Sequence, residues 1–327
     1  MVNLQTEYLG LTLKNPIIVA SSGLTNSLSS IKKLAENGAG AIVLKSLFEE
    51  QILAETAQNI SLDQSYGTDV HDYITEHMRS SKLSDYTTLI REAKAEVDIP
   101  IIASVNCITD REWVSFTKEI EAAGADALEL NIGVLPSDDE INSAENEENY
   151  IKILEKVRRS TNLPIAVKMT TYSAGLANFI KKISWTGFVD GIVLFNKYFQ
   201  PDIDIDKMEI TSTGVFTTSE DISTSLRWVA IMSSKIEIPI SATTGVHTGA
   251  DVIKQILVGA NNVQIASTLY INGPKQIKLM LEEMEKWMEK NSFNTLDAFR
   301  GNMALKNDVN TIAFERIQFM KHYGNIE

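Results

Sequence analysis

The sequence has almost no cysteine, which limits the chemistry that thiols could supply. Cys107 is the only cysteine among 327 residues, and this excludes an internal disulfide or an all-cysteine zinc or iron–sulfur site within the chain. With no histidine close to it in the sequence, Cys107 is interpreted as a partly buried thiol and not as a nucleophile. No metal site is predicted, because metal-ligand spacing is missing from the histidines, which are His71, His77, His247 and His322.

Long apolar runs and basic clusters are also missing. No run approaches the ~20 apolar residues that a membrane-spanning helix needs, and no signal peptide is recognisable at the start. The net charge is −13 without a dense Lys/Arg cluster, so neither nucleic acid nor an anionic membrane is an expected partner. We expect a cytoplasmic protein that acts on a small molecule, with a core large enough for its 44% hydrophobic residues.

What the sequence does contain is a weak internal repeat of short β-branched runs. Four of the runs follow a proline, which at the first residue of a strand removes no hydrogen bond that the sheet needs. The other four follow a glycine, or a glycine and an alanine, and the two kinds of run alternate along the chain. The eight predicted strands begin near Ile17, Ile42, Ile101, Ala127, Ile165, Ile192, Ile240 and Val263.

Amphipathic helical patterns lie between these runs. Leu28, Ile31 and Leu34 share one helical face, Gly38 is placed to end that helix, and Thr248 is placed to cap a later one. Strand–helix alternation repeated eight times predicts parallel strands closed into a (β/α)8 barrel of the TIM type. An open doubly wound sheet is the alternative, but it does not need eight units.

The ends of the chain and three long connections complete the predicted architecture. Residues 7–14 are predicted to form a β-hairpin that closes the bottom of the barrel. The βα loops of 47–86, 133–147 and 197–219 are long, and they lie on the side where barrel enzymes build their sites. We expect one domain over residues 1–327, with a helical C-terminal tail from about 296.

Polar residues end all eight predicted strands. Because the carboxyl ends of parallel strands meet at one mouth, these side chains are expected to line a single site. Lys45 and Lys168 directly follow apolar runs, and an ammonium there is costly to bury unless it is paired. One such lysine alone could simply point to solvent, whereas the whole ring predicts a site. The ring consists of Ser21, Ser22, Lys45, Ser46, Ser104, Asn106, Asn131, Lys168, Asn196, Thr243, Thr244, Gly245, Ala266 and Ser267.

The ends of the seventh and eighth strands are predicted to bind a phosphate. Thr244 and Gly245 lead into the helix that starts near Thr248, and Ser267 follows the eighth strand. Backbone N–H groups at a helix start can bind a phosphate without a basic side chain, and barrels often place phosphate at these two loops. An ordinary turn followed by a capped helix is the alternative interpretation.

In their order and spacing, these motifs resemble the dihydroorotate dehydrogenase family over about residues 4–301. The segments that carry the resemblance are Asn15-Pro16 to Gly23, Leu44-Lys45-Ser46, Glu129-Leu130-Asn131, Val167-Lys168, Val193-Leu194-Phe195-Asn196 and Gly259-Ala260-Asn261-Asn262-Val263-Gln264-Ile265. The resemblance implies a flavoprotein of pyrimidine metabolism that holds FMN over the strand ends. It further implies oxidation or reduction of a CH–CH bond in a small planar substrate, dihydroorotate or a related dihydropyrimidine.

The resemblance also implies roles for the polar ring. Lys168 would contact the pyrimidine edge of the flavin and stabilise its anionic reduced form, and Lys45 would lie near flavin and substrate. Asn131 and Asn196 would bind amide edges of flavin or substrate. Catalytic roles would thus fall to Lys45, Lys168 and Asn131. The serines would line the pocket, and phosphate would bind at Thr244, Gly245, Ala266 and Ser267.

The chain departs from the family pattern after the fourth strand. Val134 stands where the family has a cysteine or serine base, and a valine side chain cannot take a proton. The asparagine-bearing loop that clamps the substrate is also not recognisable within residues 47–86. The chain therefore resembles a branch of the family that lacks the usual base, and its substrate is left open.

Two other functions and the question of partners stay open at this point. A Schiff-base lyase of the aldolase type would use Lys168 or Lys45 as the amine nucleophile. A catalytically silent, flavin-binding barrel would use the same cofactor residues without turnover. The family resemblance suggests a homodimer, and the sequence does not identify the electron acceptor.

Overall fold

The computed structural model describes residues 2–48, 68–106, 110–133, 136–198 and 200–306, without the side chains of 48, 68–79 and 110–115. The strands are, in chain order, β1 (Thr6–Tyr8), β2 (Leu11–Leu13), β3 (Ile17–Val19), β4 (Ala41–Val43), β5 (Leu47–Phe48), β6 (Ile101–Asn106), β7 (Ala127–Asn131), β8 (Ile165–Lys168), β9 (Gly191–Leu194), β10 (Pro201–Asp204), β11 (Glu209–Ser212), β12 (Ile240–Thr243) and β13 (Asn262–Ile265). The α-helices are α1 (Leu28–Glu36), α2 (Thr68–Glu96), α3 (Asp110–Ala122), α4 (Ser143–Ser160), α5 (Leu176–Trp185), α6 (Ile222–Met232), α7 (Gly249–Leu257), α8 (Ser267–Asn272) and α9 (Gln276–Lys290).

Eight parallel strands form a closed barrel. Going round the ring, β3, β4, β6, β7, β8, β9, β12 and β13 pair in that order, and β13 pairs in turn with β3. A helix follows each of these strands before the next one begins. The predicted (β/α)8 TIM barrel is therefore confirmed, and each barrel strand coincides with one of the β-branched runs.

An N-terminal hairpin closes the bottom of the barrel, as predicted. β1 and β2 pair antiparallel through a two-residue turn in which Leu9 and Gly10 both have positive φ (55° and 72°), the combination that a type I′ hairpin turn requires. Leu9 packs inward over Gly191, where an added Cβ would lie 2.7 Å from a Leu9 methyl carbon. Gly191 thus makes room for the hairpin, which packs on the lower interior of the barrel.

Along each barrel strand, side chains alternate between the interior and the surrounding helices. Those that face the interior form an apolar lower level and a polar upper level. In β7, Leu128 and Leu130 pack outward in the core shared with the helices, while Ala127 belongs to the apolar lower interior beneath the site. Glu129, two residues further along, faces the interior at the next level, since successive side chains of a strand alternate between its two faces. Polar residues therefore occupy the upper interior, next to the carboxyl ends of the strands.

Helix boundaries inside two of the predicted long loops differ from the expectation. α2 already begins at Thr68, because no glycine or proline lies between Gly67 and Pro100 to interrupt a helix. α4 begins at Ser143, because the Asn142 side chain caps its first turn by accepting hydrogen bonds from two backbone N–H groups. Both loops are therefore shorter than predicted, although they lie on the expected side of the barrel.

The third long loop carries a hairpin of its own. β10 and β11 pair antiparallel after β9, and their apolar side chains lie on the surface. Ile203, Ile205, Met208 and Ile210 are between 65% and 87% exposed. None of the helices in the described ranges is both long and apolar enough to cross a bilayer.

The C-terminal region differs from the predicted helical tail as far as it is described. After α9, residues 296–298 form a single 3₁₀ turn, and residues 299–306 are turns and irregular chain. Leu296 and Phe299 are buried in the core, and Gly301 has a φ of 72°, which an α-helix does not permit. The rest of the predicted tail, together with Cys107 and Val134, lies outside the described residues.

Candidate active site

A cavity of about 200 Å³ opens at the mouth of the barrel. Apart from Gly23 and Glu129, every residue that borders it was predicted from the polar strand ends. The residues around the cavity are Ser21, Ser22, Gly23, Lys45, Ser46, Glu129, Asn131, Lys168 and Asn196.

On one side of the cavity, three serines form a chain of hydroxyl contacts. The Ser46 hydroxyl lies 3.1 Å from that of Ser21 and 2.7 Å from that of Ser104. Ser104 is only 1% exposed and lies behind Ser46. Contrary to the prediction, it therefore does not border the cavity. The Tyr86 hydroxyl accepts a hydrogen bond from the Ser104 N–H (2.8 Å) and donates to its carbonyl (3.1 Å). Burial raises the pKa of Tyr86, which keeps this donor protonated.

The two predicted lysines differ in their surroundings. Lys45 is exposed at the rim, whereas the Lys168 side chain is only 11% exposed. The Lys168 ammonium lies 3.6 Å from Oε1 of Glu129, whose side chain is 2% exposed. The other carboxylate oxygen of Glu129 accepts a hydrogen bond from Gln264 Nε2 over 2.6 Å. The Lys168 ammonium is therefore paired. This agrees with the high free-energy cost of burying an ammonium without a partner.

Two asparagines from the strands on either side of β8 meet next to Lys168. Asn131 ends β7, Asn196 follows β9, and the Asn196 amide nitrogen donates to the Asn131 carbonyl oxygen over 3.1 Å. Because β8 lies between these strands, the pair reaches across the end of the strand that carries Lys168. Two amides and one cation thus face the same space.

The predicted phosphate residues lie beside this cavity and do not border it. Thr244 and Gly245 both have positive φ (78° and 77°), and an added Cβ on Gly245 would collide with the backbone nitrogen of Ile222. Thr244 lines a neighbouring cavity of about 130 Å³, to which Asn196 also belongs. The Thr248 side chain caps α7, as predicted.

Ala266 and Ser267 lie at the end of the adjacent strand, β13. Ser267 begins α8, and its hydroxyl accepts a hydrogen bond from the Thr217 N–H over 2.9 Å. The Thr268 hydroxyl donates to the carbonyl of His247 over 3.3 Å, which connects the loop after β12 to α8. The residues predicted to bind phosphate are thus neighbours. Thr217, which lies between β11 and α6, packs against them.

Besides Gly23, sequence reasoning missed three residues of this site. Glu129 and Gln264 form the buried support of Lys168, and Tyr86 holds the backbone of Ser104. Glu129 left a signal, because a charge between Leu128 and Leu130 interrupts an apolar strand. Tyr86 gave no comparable signal in the sequence.

Comparison with known proteins identifies the family. The family model described as "Dihydroorotate dehydrogenase" matches residues 3–288. The chain belongs to the dihydroorotate dehydrogenase family. This confirms the resemblance inferred from the motifs and places the chain among oxidoreductases.

The curated relatives of this family are similar to the chain at low identity over nearly its whole length. The "Dihydroorotate dehydrogenase B (NAD(+)), catalytic subunit" of Pyrococcus furiosus is 24% identical over 304 residues, which cover 92% of this chain and 98% of that protein. The protein of the same description from Methanocaldococcus jannaschii is 24% identical over 91% of this chain and 97% of its own length. The "Dihydroorotate dehydrogenase A (fumarate)" of Lactobacillus helveticus is 26% identical over 89% of this chain and 95% of its own length.

Proposed function

We propose that the chain is an FMN-dependent oxidoreductase that acts on a CH–CH bond of a small planar substrate, dihydroorotate or a related dihydropyrimidine. The observation that carries the proposal is the convergence of Lys168, Asn131 and Asn196 on one cavity, in a chain of this family. A paired cation and two amides suit the carbonyl and N–H edge of a pyrimidine ring. We further propose that residues 1–327 act as one domain.

Two features of the barrel mouth support the proposal that it binds FMN. Lys168 directs a buried, paired cation at the cavity, and Thr244 and Gly245 bring the backbone close to α6 at a turn that only glycine fits without a clash. Lys168, Asn131 and Asn196 would hold the ring end of FMN, while Thr244, Gly245, Ala266 and Ser267 would hold its phosphate. When bound, FMN would supply the two-electron redox chemistry that no side chain provides.

The protein residues would act mainly by orientation and charge. Lys168 keeps a positive charge where negative charge develops during reduction, the kind of interaction that lowers a reaction barrier. The hydrogen bond from Asn196 orients Asn131, so that the Asn131 amide nitrogen stays available as a donor to a ligand carbonyl. Val134 holds the position of the family base and offers no lone pair, so we propose that dihydroorotate is a poor substrate.

The aldolase alternative is disfavoured by the Glu129–Lys168 pair. A Schiff-base lysine must offer a free amine to a carbonyl carbon, whereas the Lys168 ammonium is already paired with the Glu129 carboxylate 3.6 Å away. The exposed Lys45 lacks the apolar surroundings that would activate it. A catalytically silent barrel stays the second candidate, since it would need the same cofactor residues.

The cofactor and the reaction can be tested in one preparation. Protein reconstituted with a mixture of FMN, FAD and NAD⁺ is desalted, and the retained compound is identified by mass spectrometry. FMN alone is expected, and retention of FAD or of no flavin would overturn the cofactor assignment. Anaerobic mixing with dihydroorotate and other dihydropyrimidines should then bleach the flavin absorbance with at least one of them. Bleaching by none would favour the silent barrel, and borohydride trapping of a carbonyl compound on Lys168 would favour the lyase.

We also propose that the chain forms a homodimer through the β10–β11 hairpin. Its exposed apolar side chains, Ile203, Ile205, Met208 and Ile210, form the kind of patch that marks a protein interface. Among the residues that the structure describes, both strands also have an unpaired edge, because they form a separate two-stranded sheet.

A further inference from the structure

We infer that Glu129 is a positioning residue, which holds the Lys168 ammonium at the cavity through a carboxylate fixed from the opposite wall of the barrel. What Lys168 then does to a flavin rests on the proposed function. The pairing itself is a property of the protein alone, and it can be measured without any cofactor.

The two oxygens of the Glu129 carboxylate have different neighbours. Oε2 accepts the hydrogen bond from Gln264, and β13, which carries Gln264, lies diametrically opposite β7 in the ring of eight strands. The hydrogen bond therefore spans the barrel interior and sets the direction of the carboxylate. Oε1 is buried, makes no hydrogen bond within the described residues, and lies 3.6 Å from the Lys168 ammonium.

The strand register explains why the two charges meet. Asn131 of β7 lies directly beside Lys168 of β8, and Glu129 lies beside Ala166, one step lower on the same inward face. Glu129 and Lys168 are thus diagonal neighbours on adjacent strands, within reach of long side chains. Lysine carries a point charge on a flexible stem, so its ammonium needs a fixed counter-charge to remain in one place.

Burial makes this counter-charge necessary. With 11% of its side chain exposed, Lys168 has little water to stabilise its charge, and an unpaired ammonium there would lose its proton or swing out to solvent. Lys45 borders the same cavity and carries the same sign of charge, which adds repulsion. Glu129 is the carboxylate bordering the cavity that opposes both effects.

The test uses cofactor-free protein and the reactivity of its lysines. Only a neutral amine reacts with acetic anhydride, so trace acetylation followed by mass spectrometry reports how often each lysine is neutral and accessible. In Glu129→Gln, the ratio of Lys168 to Lys45 acetylation should rise about tenfold, which corresponds to a loss of about 1.4 kcal/mol of pairing. Lys45 is the internal reference, because general loosening of the mouth would raise both rates together. An unchanged ratio would overturn the inference.

Two further variants keep the test decisive. Gln264→Leu keeps both charges and removes only the hydrogen bond across the barrel, so the same ratio should rise by a smaller factor, about threefold by the net value of one hydrogen bond. Gln264→Leu also provides a test of the inference if Glu129→Gln does not fold. Glu155→Gln, which removes an exposed carboxylate paired with Arg159 on α4, is the matched control and should leave the ratio unchanged.

Repeating the measurement with FMN separates this inference from the proposed function. Bound FMN should protect Lys168 from acetylation in the unsubstituted protein. If FMN gives no protection while Glu129→Gln still raises the ratio, the positioning role stands and the proposed cofactor is wrong. If FMN protects but the ratio does not change in Glu129→Gln, the cofactor stands and the positioning role is wrong.

Discussion

The side-chain amide of Asn196 donates to the carbonyl oxygen of Asn131 over 3.1 Å and joins the ends of β7 and β9 across β8. The two residues are 65 positions apart in the sequence. The hydrogen bond occupies one lone pair of the Asn131 carbonyl oxygen, and under the proposed function the two N–H donors of Asn131 would serve the ligand.

Asn131→Ala should therefore weaken FMN binding. The loss of one hydrogen bond to a ligand, at about 0.5–1.5 kcal/mol net, should raise the Kd for FMN about two- to tenfold. Quenching of FMN fluorescence on titration with cofactor-free protein measures this constant. The control is Asn162→Ala, since Asn162 lies on an outer loop and bonds to Glu121. An unchanged Kd in Asn131→Ala would remove Asn131 from the cofactor site.

Lys168→Ala should make the bound flavin harder to reduce. The lysine charge favours the reduced form, whose negative charge appears only on reduction. A charged hydrogen bond worth about 1.5–3 kcal/mol corresponds to a midpoint potential about 30–60 mV more negative for a two-electron couple. Redox titration against a reference dye measures it, with the exposed Lys152→Ala as control. A midpoint potential equal to that of the unsubstituted protein would contradict this role.

Gly245→Ala should destabilise the fold. The residue has a φ of 77°, and an added Cβ would collide with backbone atoms at the start of α6, so the strain includes a clash that side-chain motion cannot relieve. We expect a loss of about 3 kcal/mol or more in the free energy of unfolding. Gly187→Ala isolates the effect of positive φ, since Gly187 has a φ of 71° and open space around it, and should cost only about 1–2 kcal/mol. Urea unfolding of both variants decides between the two costs, and equal losses would show that the clash is relieved.

Val134→Cys should restore reactivity toward dihydroorotate. A positioned general base contributes about 10²–10⁴-fold in rate, and Val134 supplies none at the position of the family base. Stopped-flow reduction of the flavin by dihydroorotate should be slow in the unsubstituted protein and faster in Val134→Cys, with Val134→Ala as the control that changes size without adding a base. Rapid reduction in the unsubstituted protein would mean that another group fills the role.

Ile210→Glu should dissociate the proposed homodimer. Ile210 is 77% exposed on β11, and a carboxylate in the centre of an apolar interface would be buried without a partner. Sedimentation velocity should show a dimer for the unsubstituted protein and a monomer for the variant. Leu279→Glu is the control, because Leu279 is also exposed, at 57%, but lies on α9. A monomeric unsubstituted protein would exclude the dimer.

The structure alters one expectation about Lys168 that the sequence suggested. The role that the resemblance implies for Lys168 concerns the reduced flavin, so on that basis its removal should affect flavin reduction more than folding. The pairing with Glu129 adds a stability cost, because Lys168→Ala leaves a buried carboxylate without its cation, and breaking a buried pair in this way costs about 3–5 kcal/mol. The redox measurement therefore needs conditions in which the variant stays folded.

Local sequence patterns were enough to predict the barrel and the polar ring at its mouth. Strand-starting prolines such as Pro164, helix-ending glycines such as Gly38, and the alternation of apolar runs are local signals, because each depends on a few neighbouring residues. The polar strand ends could be recognised in the same way, since all parallel strands end at one mouth. The resemblance to the family added the expectation of FMN, and the valine at position 134 could be recognised as a departure from the family pattern without any coordinates.

Which of these residues lie together depends on how the barrel closes. Glu129 and Gln264 lie 135 positions apart in the sequence, and closure of the ring places them opposite each other, where they share one hydrogen bond beneath Lys168. Closure also set Ser104 behind Ser46 and separated the phosphate residues from the main cavity. Contacts of this kind depend on which strands face each other across the interior, and no local pattern of the chain encodes that distance.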